Sequence, residues 1–288
     1  MRVTASAVAD QVSLGDHVCW AHDGEAGGLD AGGRFAARGL SLGHKVVWFT
    51  DATSPAVVRA HLDGVGVLTE AALAGGRLRI VPAVESYLAG GRFSPDAMVE
   101  ELTTEVARAR RDERPGLRLI GDMSWAVRHG VPVADLCRYE AETNRVFLDG
   151  DVAGMCLYDR RLFPAEYLRP IAAAHPATVG PDAARTWTPM LRAYRTLEPY
   201  GLRLVGQVDR SNREAFAALL GQLTGRAPTA QPCVVDVSEL SFADGSAASA
   251  LVRARRVTPA GVRLVGCRPA LHRLLDLVDG TDRPGYAT

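Results

Sequence analysis

Apolar runs of strand length alternate with helical patterns along the first half of the chain, and this alternation restricts the possible folds more than any other feature. Runs rich in Val, Leu, Ile or Trp occupy residues 17–21, 45–50, 78–81, 117–121 and 152–158. Helical spacing of apolar residues separates them, at residues 31–40, 54–62, 95–111 and 133–148. Apolar strands that alternate with helices are typical of a parallel sheet with helices on both faces. The sequence therefore predicts an α/β fold with a mostly parallel sheet.

The chain changes character after residue 176 and then returns to the same alternation. Residues 177–200 carry several prolines and mixed charge, which predicts a linker over residues 178–198 with a helix near residues 187–197. New strand-like runs, each followed by a helical pattern, lie at residues 202–208, 233–237 and 262–265. We therefore predict two α/β domains, at residues 12–177 and 199–281, joined by that linker.

Charge and cysteine content exclude several classes of protein. The 288 residues carry 33 basic and 33 acidic side chains, so no basic surplus supports direct binding to nucleic acid. The five cysteines show no CxxC spacing, and no apolar run approaches the ~20 residues of a membrane helix. No secretory signal opens the chain. We expect a cytoplasmic protein with reduced cysteines and no contact with a membrane.

A strand, a turn and a helix are predicted within residues 233–254, and a serine stands where the helix begins. The pattern makes Ser246 the first helical residue, with Asp244 two positions before it. A hydroxyl group at that place caps the helix, and a phosphate there would meet free backbone N–H groups. Ser246 is therefore either a phosphorylation site, with Asp244 supporting the switch, or only a helix cap.

Three motifs follow one another in the C-terminal unit, at residues 206–209, 234–247 and 261–266. Their order resembles the STAS domain family, which contains the anti-sigma-factor antagonists of bacterial partner-switching systems. The resemblance implies that an anti-sigma factor with serine kinase activity phosphorylates Ser246 and binds only the unmodified form. Asp244-Gly-Ser-Ala247 replaces the family's common Asp-Ser-Ser-Gly or Asp-Thr-Ser-Gly, which alters the surroundings that a kinase would recognise.

Six short segments form a second pattern in the N-terminal unit, at residues 15–22, 46–51, 119–126, 139–144, 156–159 and 175–176. They resemble the MEDS domain, a sensory module similar to a RecA- or KaiC-type ATPase core without its nucleotide machinery. That machinery needs Gly-x-x-x-x-Gly-Lys-Ser/Thr after the first strand. The only lysine, Lys45, instead follows the first predicted helix. We therefore expect no ATP binding and no enzymatic turnover.

Aromatic and acidic side chains fall at or just past the ends of the predicted strands. The candidates for binding a ligand are Trp20, Trp48, Asp51, Asp122, Trp125 and Glu140. Ligands of parallel sheets bind beyond the carboxyl ends of the strands. Indoles and carboxylates at that edge would form an apolar pocket with polar anchors for a small molecule. The alternative for each residue alone is structural, as a core aromatic or a helix-capping aspartate.

Histidine and cysteine side chains form a further group of candidates. His17 and Cys19 are two residues apart on one predicted strand, so their side chains point to the same face. Cys156 and His175 would approach them if the first and fifth strands were neighbours. Imidazole and thiolate suit a zinc, copper or haem-type site, and an activated thiolate suits redox sensing. The alternative is a set of inert buried side chains without metal.

Three functions are compatible with these patterns. The preferred one is a signalling protein without turnover, in which a sensory domain controls an anti-sigma-factor antagonist in transcription regulation. The second is a degenerate RecA-like enzyme that retains nucleotide binding, with Asp122 and Glu140 as metal- and water-positioning groups. The third is a STAS module that only assembles larger complexes.

Overall fold

The computed structural model describes residues 5–184, 186–227 and 231–280. Its strands are β1 (His17–His22), β2 (Lys45–Thr50), β3 (Leu78–Pro82), β4 (Leu117–Asp122), β5 (Val152–Asp159), β6 (Ala177–Val179), β7 (Leu191–Leu197), β8 (Tyr200–Val208), β9 (Cys233–Ala243) and β10 (Val262–Val265). Its α-helices are α1 (Gly24–Ser41), α2 (Pro55–Gly64), α3 (Thr69–Ala74), α4 (Pro95–Arg111), α5 (Ser124–Arg128), α6 (Val133–Thr143), α7 (Ala165–Ala173), α8 (Arg213–Gly225), α9 (Gly245–Val257) and α10 (Pro269–Asp279). Short 3₁₀ helices lie at Ala5–Gln11, Ala83–Glu85 and Asn144–Phe147.

The larger sheet of the described residues has six strands in the order β3-β2-β4-β5-β1-β6, and all its strand pairs are parallel. The five strands predicted before residue 160 are confirmed, and β2 has the predicted bounds. The α/β class is confirmed as well. Because β2, β4 and β5 are buried along their whole length, they need cover on both faces of the sheet.

Two separate apolar cores fill the faces of this sheet. On one face, Phe35 of α1 and Leu62 of α2 belong to the same core as Trp48 of β2. On the other face, Leu102 of α4 and Leu136 of α6 belong to a second core. Among the described residues, no helix combines the length and the apolar character that crossing a lipid bilayer requires.

The smaller sheet has four described strands in the order β10-β9-β8-β7. β8, β9 and β10 are parallel, as the predicted strand–helix alternation requires, whereas β7 is antiparallel to β8. The helices α8, α9 and α10 contribute Phe216, Leu251 and Leu275 to its core, and each of these side chains is at most 1% exposed. The second domain therefore has an apolar core of its own.

The structure corrects two features of the predicted linker. The helix predicted near residues 187–197 is wrong, because that segment contains β7, which pairs with β8 along its whole length. Trp187, Leu191 and Tyr194 have helical spacing, but pairing with a neighbouring strand overrides this local pattern. The predicted linker also contains part of β6, which pairs with β1 and extends the first sheet past residue 177. Residue 281, the predicted end of the second domain, lies outside the described residues.

Polar contacts join the two domains. Asp16, directly before β1, accepts two hydrogen bonds from Arg192 of β7, at 2.6 Å from Nε and 3.0 Å from Nη2. The Asp16 side chain is completely buried, and that of Arg192 is 30% exposed. Gln222 of α8 donates a hydrogen bond of 3.0 Å to the Glu142 carbonyl oxygen in α6. These contacts place the C-terminal domain next to β1 and α6.

Candidate functional site

Four buried side chains with metal-binding chemistry meet on one face of the larger sheet. This buried cluster consists of His17 of β1, Glu140 of α6, Cys156 of β5 and His175 between α7 and β6. Parallel pairing of β1 with β5 aligns His17 with Gly154 and Cys19 with Cys156. Since side chains alternate along a strand, His17 and Cys156 point to the face that α6 covers. There the Glu140 carboxylate reaches them from the helix.

Gly154 makes room for the imidazole of His17. A Cβ atom at this position would lie 2.6 Å from the Phe147 ring and 3.2 Å from the His17 ring. These two rings stack, with centroids 4.5 Å apart and planes inclined by 13°. A larger residue at position 154 would therefore clash with the Phe147 ring and crowd the imidazole stacked on it.

The donor atoms of the buried cluster are close to one another. Glu140 Oε2 lies 3.4 Å from His17 Nε2, 3.3 Å from His175 Nε2 and 3.5 Å from Cys156 Sγ. His17 Nε2 and Cys156 Sγ are 3.4 Å apart. One donor atom from each residue lies within 4.8 Å of all the others, and each residue is at most 7% exposed. Two nitrogens, a sulfur and an oxygen thus share one small buried volume.

Neighbouring groups orient both imidazole rings. His17 Nδ1 lies 2.9 Å from Asn144 Oδ1, and His175 Nδ1 lies 2.8 Å from the Ile171 carbonyl oxygen. Both partners are acceptors, so each Nδ1 carries the hydrogen and donates it. The Asn144 amide is itself held, because its Nδ2 donates to the Ala174 carbonyl oxygen at 2.9 Å. In neutral rings, the lone pairs of both Nε2 atoms therefore face the buried cluster.

Burial and the two histidines determine the charge of the buried cluster. Burial alone would raise the pKa of Glu140, but His175 and His17 lower it well below its ordinary value. Burial, reinforced by His175, lowers the pKa of His17. Burial raises the pKa of Cys156 well above its usual range. The protein groups alone thus place an ionised carboxylate, which accepts a hydrogen bond from Tyr158, beside a neutral thiol.

The structure brings together three of the four predicted metal or redox candidates. His17, Cys156 and His175 belong to the buried cluster, whereas Cys19 does not. Cys19 is 1% exposed, and burial raises its pKa, so it lacks the thiolate character that redox sensing needs. Glu140 was predicted as a residue of a separate ligand pocket. The sequence does indicate that Glu140 is buried, because it follows the apolar Leu136 by four residues and so lies on the same, buried side of α6.

The predicted pocket of three indoles does not form. Trp20 and Trp48 lie in the core beneath α1 and α2, whereas Trp125 lies in the core of the opposite face and stacks on Tyr87. All three indoles are at most 2% exposed. The three indoles do not meet because they belong to elements on different faces of the sheet. Trp20 and Trp48 project from strands toward one face, and Trp125 belongs to α5, which packs on the other.

The predicted aspartates bind the backbone at the carboxyl ends of the strands. Asp122 accepts hydrogen bonds from the N–H groups of Asp51, Ala52 and Ser124 at 3.2, 2.8 and 3.1 Å. Asp51 Oδ2 lies 3.4 Å from Arg128 Nη1. The cavity next to these residues has a volume of about 20 Å³, which is room for about one water molecule. The edge of the sheet where ligands were expected is therefore nearly filled.

A much larger groove lies between the two domains, where the sequence predicted no ligand. Its volume is about 1020 Å³, and it is bounded by α6, α7 and the residues around the start of α8. Apolar and basic groups share its lining, including Val133, Pro170, Arg138, Arg169, Arg210 and Arg213. Its size matches that of small-molecule sites. Packing of one domain on the other creates the groove, so no local pattern in the sequence signals it.

The predicted switch serine is the second residue of α9, which begins at Gly245. Asp244 is the N-cap, because its Oδ1 accepts hydrogen bonds from the Ala247 N–H at 2.9 Å and from the Ser246 hydroxyl at 2.6 Å. The prediction that Ser246 caps the helix is therefore wrong. β9 ends at Ala243, so the next side chain, Asp244, occupies the cap position. Ser246 itself is exposed to solvent.

Comparison with known proteins matches both halves of the chain. The family model described as "MEthanogen/methylotroph, DcmR Sensory domain" (MEDS) matches residues 16–176, and the one described as "Mlab, STAS domain" matches residues 192–281. Both resemblances seen in the sequence are confirmed, in the predicted order. Among solved structures, the chain is similar to the flagellar accessory protein FlaH from Methanocaldococcus jannaschii. That likeness has 13% identity and a TM-score of 0.41, over 59% of this chain and 72% of that chain. No curated protein matches the chain.

Proposed function

Because the chain belongs to the MEDS family of sensory domains and continues into a STAS domain, we propose that it is a regulatory protein that acts by partner switching. In this proposal the N-terminal domain responds to a signal in the cytoplasm. The C-terminal domain binds or releases an anti-sigma factor and so controls transcription. Sensory and STAS domains in one chain support a regulatory role, and STAS domains generally bind anti-sigma factors or kinases.

The observation that carries the partner switch is the exposed Ser246 hydroxyl and its hydrogen bond to Asp244. Phosphorylation would remove the hydrogen that Asp244 accepts and add a charge of about −1.5 to −2 beside that carboxylate. Repulsion between phosphate and carboxylate would weaken the cap that Asp244 provides to the Ala247 N–H. Both the charge and the conformation of the first turn of α9 would then change, as a switched binding surface requires.

Affinity capture from native cytoplasm, with full-length variants as baits, tests the partner switch. We expect Ser246→Ala to capture an anti-sigma factor with a serine kinase domain, and Ser246→Asp to capture at least about tenfold less because of the added charge. Ser241→Asp is the matched control, since it adds the same charge at an exposed serine on the preceding strand. It should capture as much as the wild type. Equal capture by all three variants would instead support a constitutive scaffold.

We also propose that the protein does not turn over ATP. The ring of His22 occupies the space along the start of α1, where a Cβ atom on Gly28 would lie 2.7 Å from it. The only lysine, Lys45, lies at the amino end of β2, and its Nζ is 3.4 Å from Glu105 Oε2. Nucleotides of parallel sheets bind at the other end of the strands. The cavity there, about 20 Å³ in volume, is far below the size of a nucleotide site.

Calorimetric titration of the full-length protein with Mg²⁺ and ATP tests this expectation. We expect no heat of binding at micromolar protein concentration and no release of inorganic phosphate. ADP with Mg²⁺ serves as the control for weak binding through the phosphates alone. Saturable ATP binding with phosphate release would contradict the regulatory proposal and support the RecA-like enzyme.

A further inference from the structure

We propose that His17, Glu140, Cys156 and His175 bind one divalent transition-metal ion, Zn²⁺ in the first place, in a closed tetrahedral site. The proposal concerns the N-terminal domain and does not depend on what the STAS domain binds. Four different segments, β1, α6, β5 and the connection from α7 to β6, each supply one ligand. An ion at this position would join parts of the domain that lie far apart in the sequence.

The separations between the Glu140 oxygen and the two imidazole nitrogens fit a metal better than hydrogen bonds. The Glu140 carboxylate oxygen is 3.4 and 3.3 Å from the two imidazole nitrogens. A charge-assisted N–H···O hydrogen bond would be shorter, at about 2.7–2.9 Å. Around Zn²⁺ with bonds of about 2.0–2.3 Å, ligand atoms at the corners of a tetrahedron are about 3.3–3.7 Å apart. The separations of 3.4 and 3.5 Å from Cys156 Sγ also fit that figure.

The orientation of the histidines is the second observation. Each Nδ1 donates its hydrogen to a fixed oxygen, of Asn144 for His17 and of Ile171 for His175. Histidines that bind metal are held in this way by a hydrogen bond from their other nitrogen. His175 Nε2 is buried and makes no hydrogen bond within the described residues, although Glu140 lies 3.3 Å away. A metal ion would satisfy that nitrogen.

The third argument is that the charges of the ligands would balance the charge of a bound Zn²⁺ ion. When Zn²⁺ binds, the Cys156 thiol loses its proton to solvent and a Zn–S bond forms. The thiolate and the Glu140 carboxylate then carry two negative charges, which neutralise the ion. The site is neutral as a whole, which suits a location where each ligand residue is at most 7% exposed. Tyr158 donates a hydrogen bond to the second carboxylate oxygen and so holds Glu140 for binding through Oε2.

Four protein ligands leave no open position on a tetrahedral ion. Sites of this kind are structural, whereas catalytic zinc sites keep one position for water. The mixed donor set of two nitrogens, one sulfur and one oxygen suits Zn²⁺ and related divalent ions better than Mg²⁺ or Ca²⁺, which prefer oxygen. We therefore assign the site to the stability and shape of the sensory domain, and not to hydrolysis.

Metal analysis of the purified full-length protein, combined with one matched pair of variants, tests the proposal. Cys156 and Cys19 are buried cysteines at aligned positions of adjacent strands, and only the first belongs to the buried cluster. We expect one equivalent of Zn²⁺, or of another divalent transition ion, in the wild type and in Cys19→Ala. Cys156→Ala should lose it. His129→Ala, at an exposed histidine, controls for adventitious binding.

Cobalt provides a readout that does not depend on how the protein was purified. The metal-free wild type titrated with Co²⁺ should develop the visible and near-ultraviolet absorption of tetrahedral cobalt bound to a thiolate. Cys19→Ala should keep this signal. Asn144→Ala, which removes the acceptor for His17 and the bonds from the Asn144 amide to Ala141 and Ala174, should weaken Co²⁺ binding by about 10–100-fold. Circular dichroism of each variant verifies that it is folded.

The outcomes separate a metal site from a buried ion pair. Stoichiometric metal that disappears in Cys156→Ala, with the cobalt signal retained in Cys19→Ala, supports the proposal. A wild type that contains no metal and gives no saturable cobalt signal after reconstitution overturns it. The proposal also fails if a folded Cys156→Ala variant still binds one equivalent with unchanged affinity.

Discussion

Replacing Glu140 with glutamine is expected to lower the free energy of unfolding of the N-terminal domain by about 1–3 kcal/mol. The side chain is completely buried, and its carboxylate lies within 3.5 Å of both imidazoles and the thiol of the buried cluster. Glutamine keeps the volume, so no cavity forms, but it removes the negative charge that these groups face. Glutamine has one acceptor oxygen where the carboxylate has two, so it cannot accept from both the Tyr158 hydroxyl and the Cys156 thiol. Buried polar groups then lose their partners, which is costly away from water.

Urea unfolding followed by tryptophan fluorescence measures this effect, because Trp20, Trp48 and Trp125 are buried in the N-terminal domain. Glu142→Gln is the matched control. It changes the same residue type on α6, at a partly exposed side chain outside the buried cluster. We expect it to change the free energy of unfolding by less than about 0.5 kcal/mol. Similar costs for both variants would show that the Glu140 carboxylate has no special role in the domain.

Local apolar patterns predicted the strands of the larger sheet because those strands are buried on both faces. β2 contains the apolar run Val46–Phe49, β4 contains Leu117, Leu119 and Ile120, and both are flanked by helices with clear spacing. β7 lacks such a pattern, since Leu191 and Ala193 are buried while Arg192 and Tyr194 are partly exposed. Its structure depends on pairing with β8, which a local reading of the sequence does not contain.

The N-cap of α9 could not be predicted from the sequence, for a different reason. Asp244 and Ser246 are both residue types that cap helices, so composition alone does not choose between them. The choice is made by β9, which stays paired with β8 through Ala243 and its partner Val208. The helix therefore starts directly after Asp244, and the serine hydroxyl becomes a donor to the cap instead of the cap itself.

Part of the buried cluster follows from the sequence and part follows only from packing. Alternation along β1 and β5, once these strands are neighbours, brings His17 and Cys156 to one face. Glu140 reaches them because α6 packs over that face, and no strand pattern predicts how a helix is placed on a sheet. His17, Cys156 and His175 are thus predictable from the sequence as one group, whereas the sequence places the Glu140 carboxylate at a different site.

The buried cluster lies close in sequence to the contacts between the domains. Asp16 directly precedes His17, Pro176 directly follows His175, and Glu142 lies two positions after Glu140. Each of these neighbours contacts the C-terminal domain, through Arg192, Leu191 and Gln222 respectively. A change in the buried cluster would thus act on residues adjacent to the domain interface.

Asp16→Asn is expected to lower the free energy of unfolding by about 2–3 kcal/mol, because the buried carboxylate accepts two charge-assisted hydrogen bonds from Arg192. Arg192→Ala should cost a similar amount, since within the described part of the chain the buried Asp16 carboxylate would then accept a hydrogen bond only from the Ser13 N–H, at 2.8 Å. A double-mutant cycle should give an interaction energy of at least about 1 kcal/mol between the two residues. Hydrogen exchange of the β7 amides should accelerate in both variants, because β7 loses an anchor on the N-terminal domain.

Arg195→Ala is the matched control for the Asp16–Arg192 pair. Arg195 lies on the same strand and also bridges the domains, with Nη1 at 3.1 Å from Asp149. Asp149 is partly exposed and keeps a second partner, Arg110, so the loss of Arg195 leaves no buried charge without a partner. We expect a cost of less than about 1 kcal/mol. If Arg195→Ala were as costly as Arg192→Ala, burial of Asp16 would not be the reason for the strength of the interface. If Arg195→Ala costs less than Arg192→Ala, Asp16 is the main residue that anchors β7 to the N-terminal domain. Asp16 directly precedes His17 of the buried cluster.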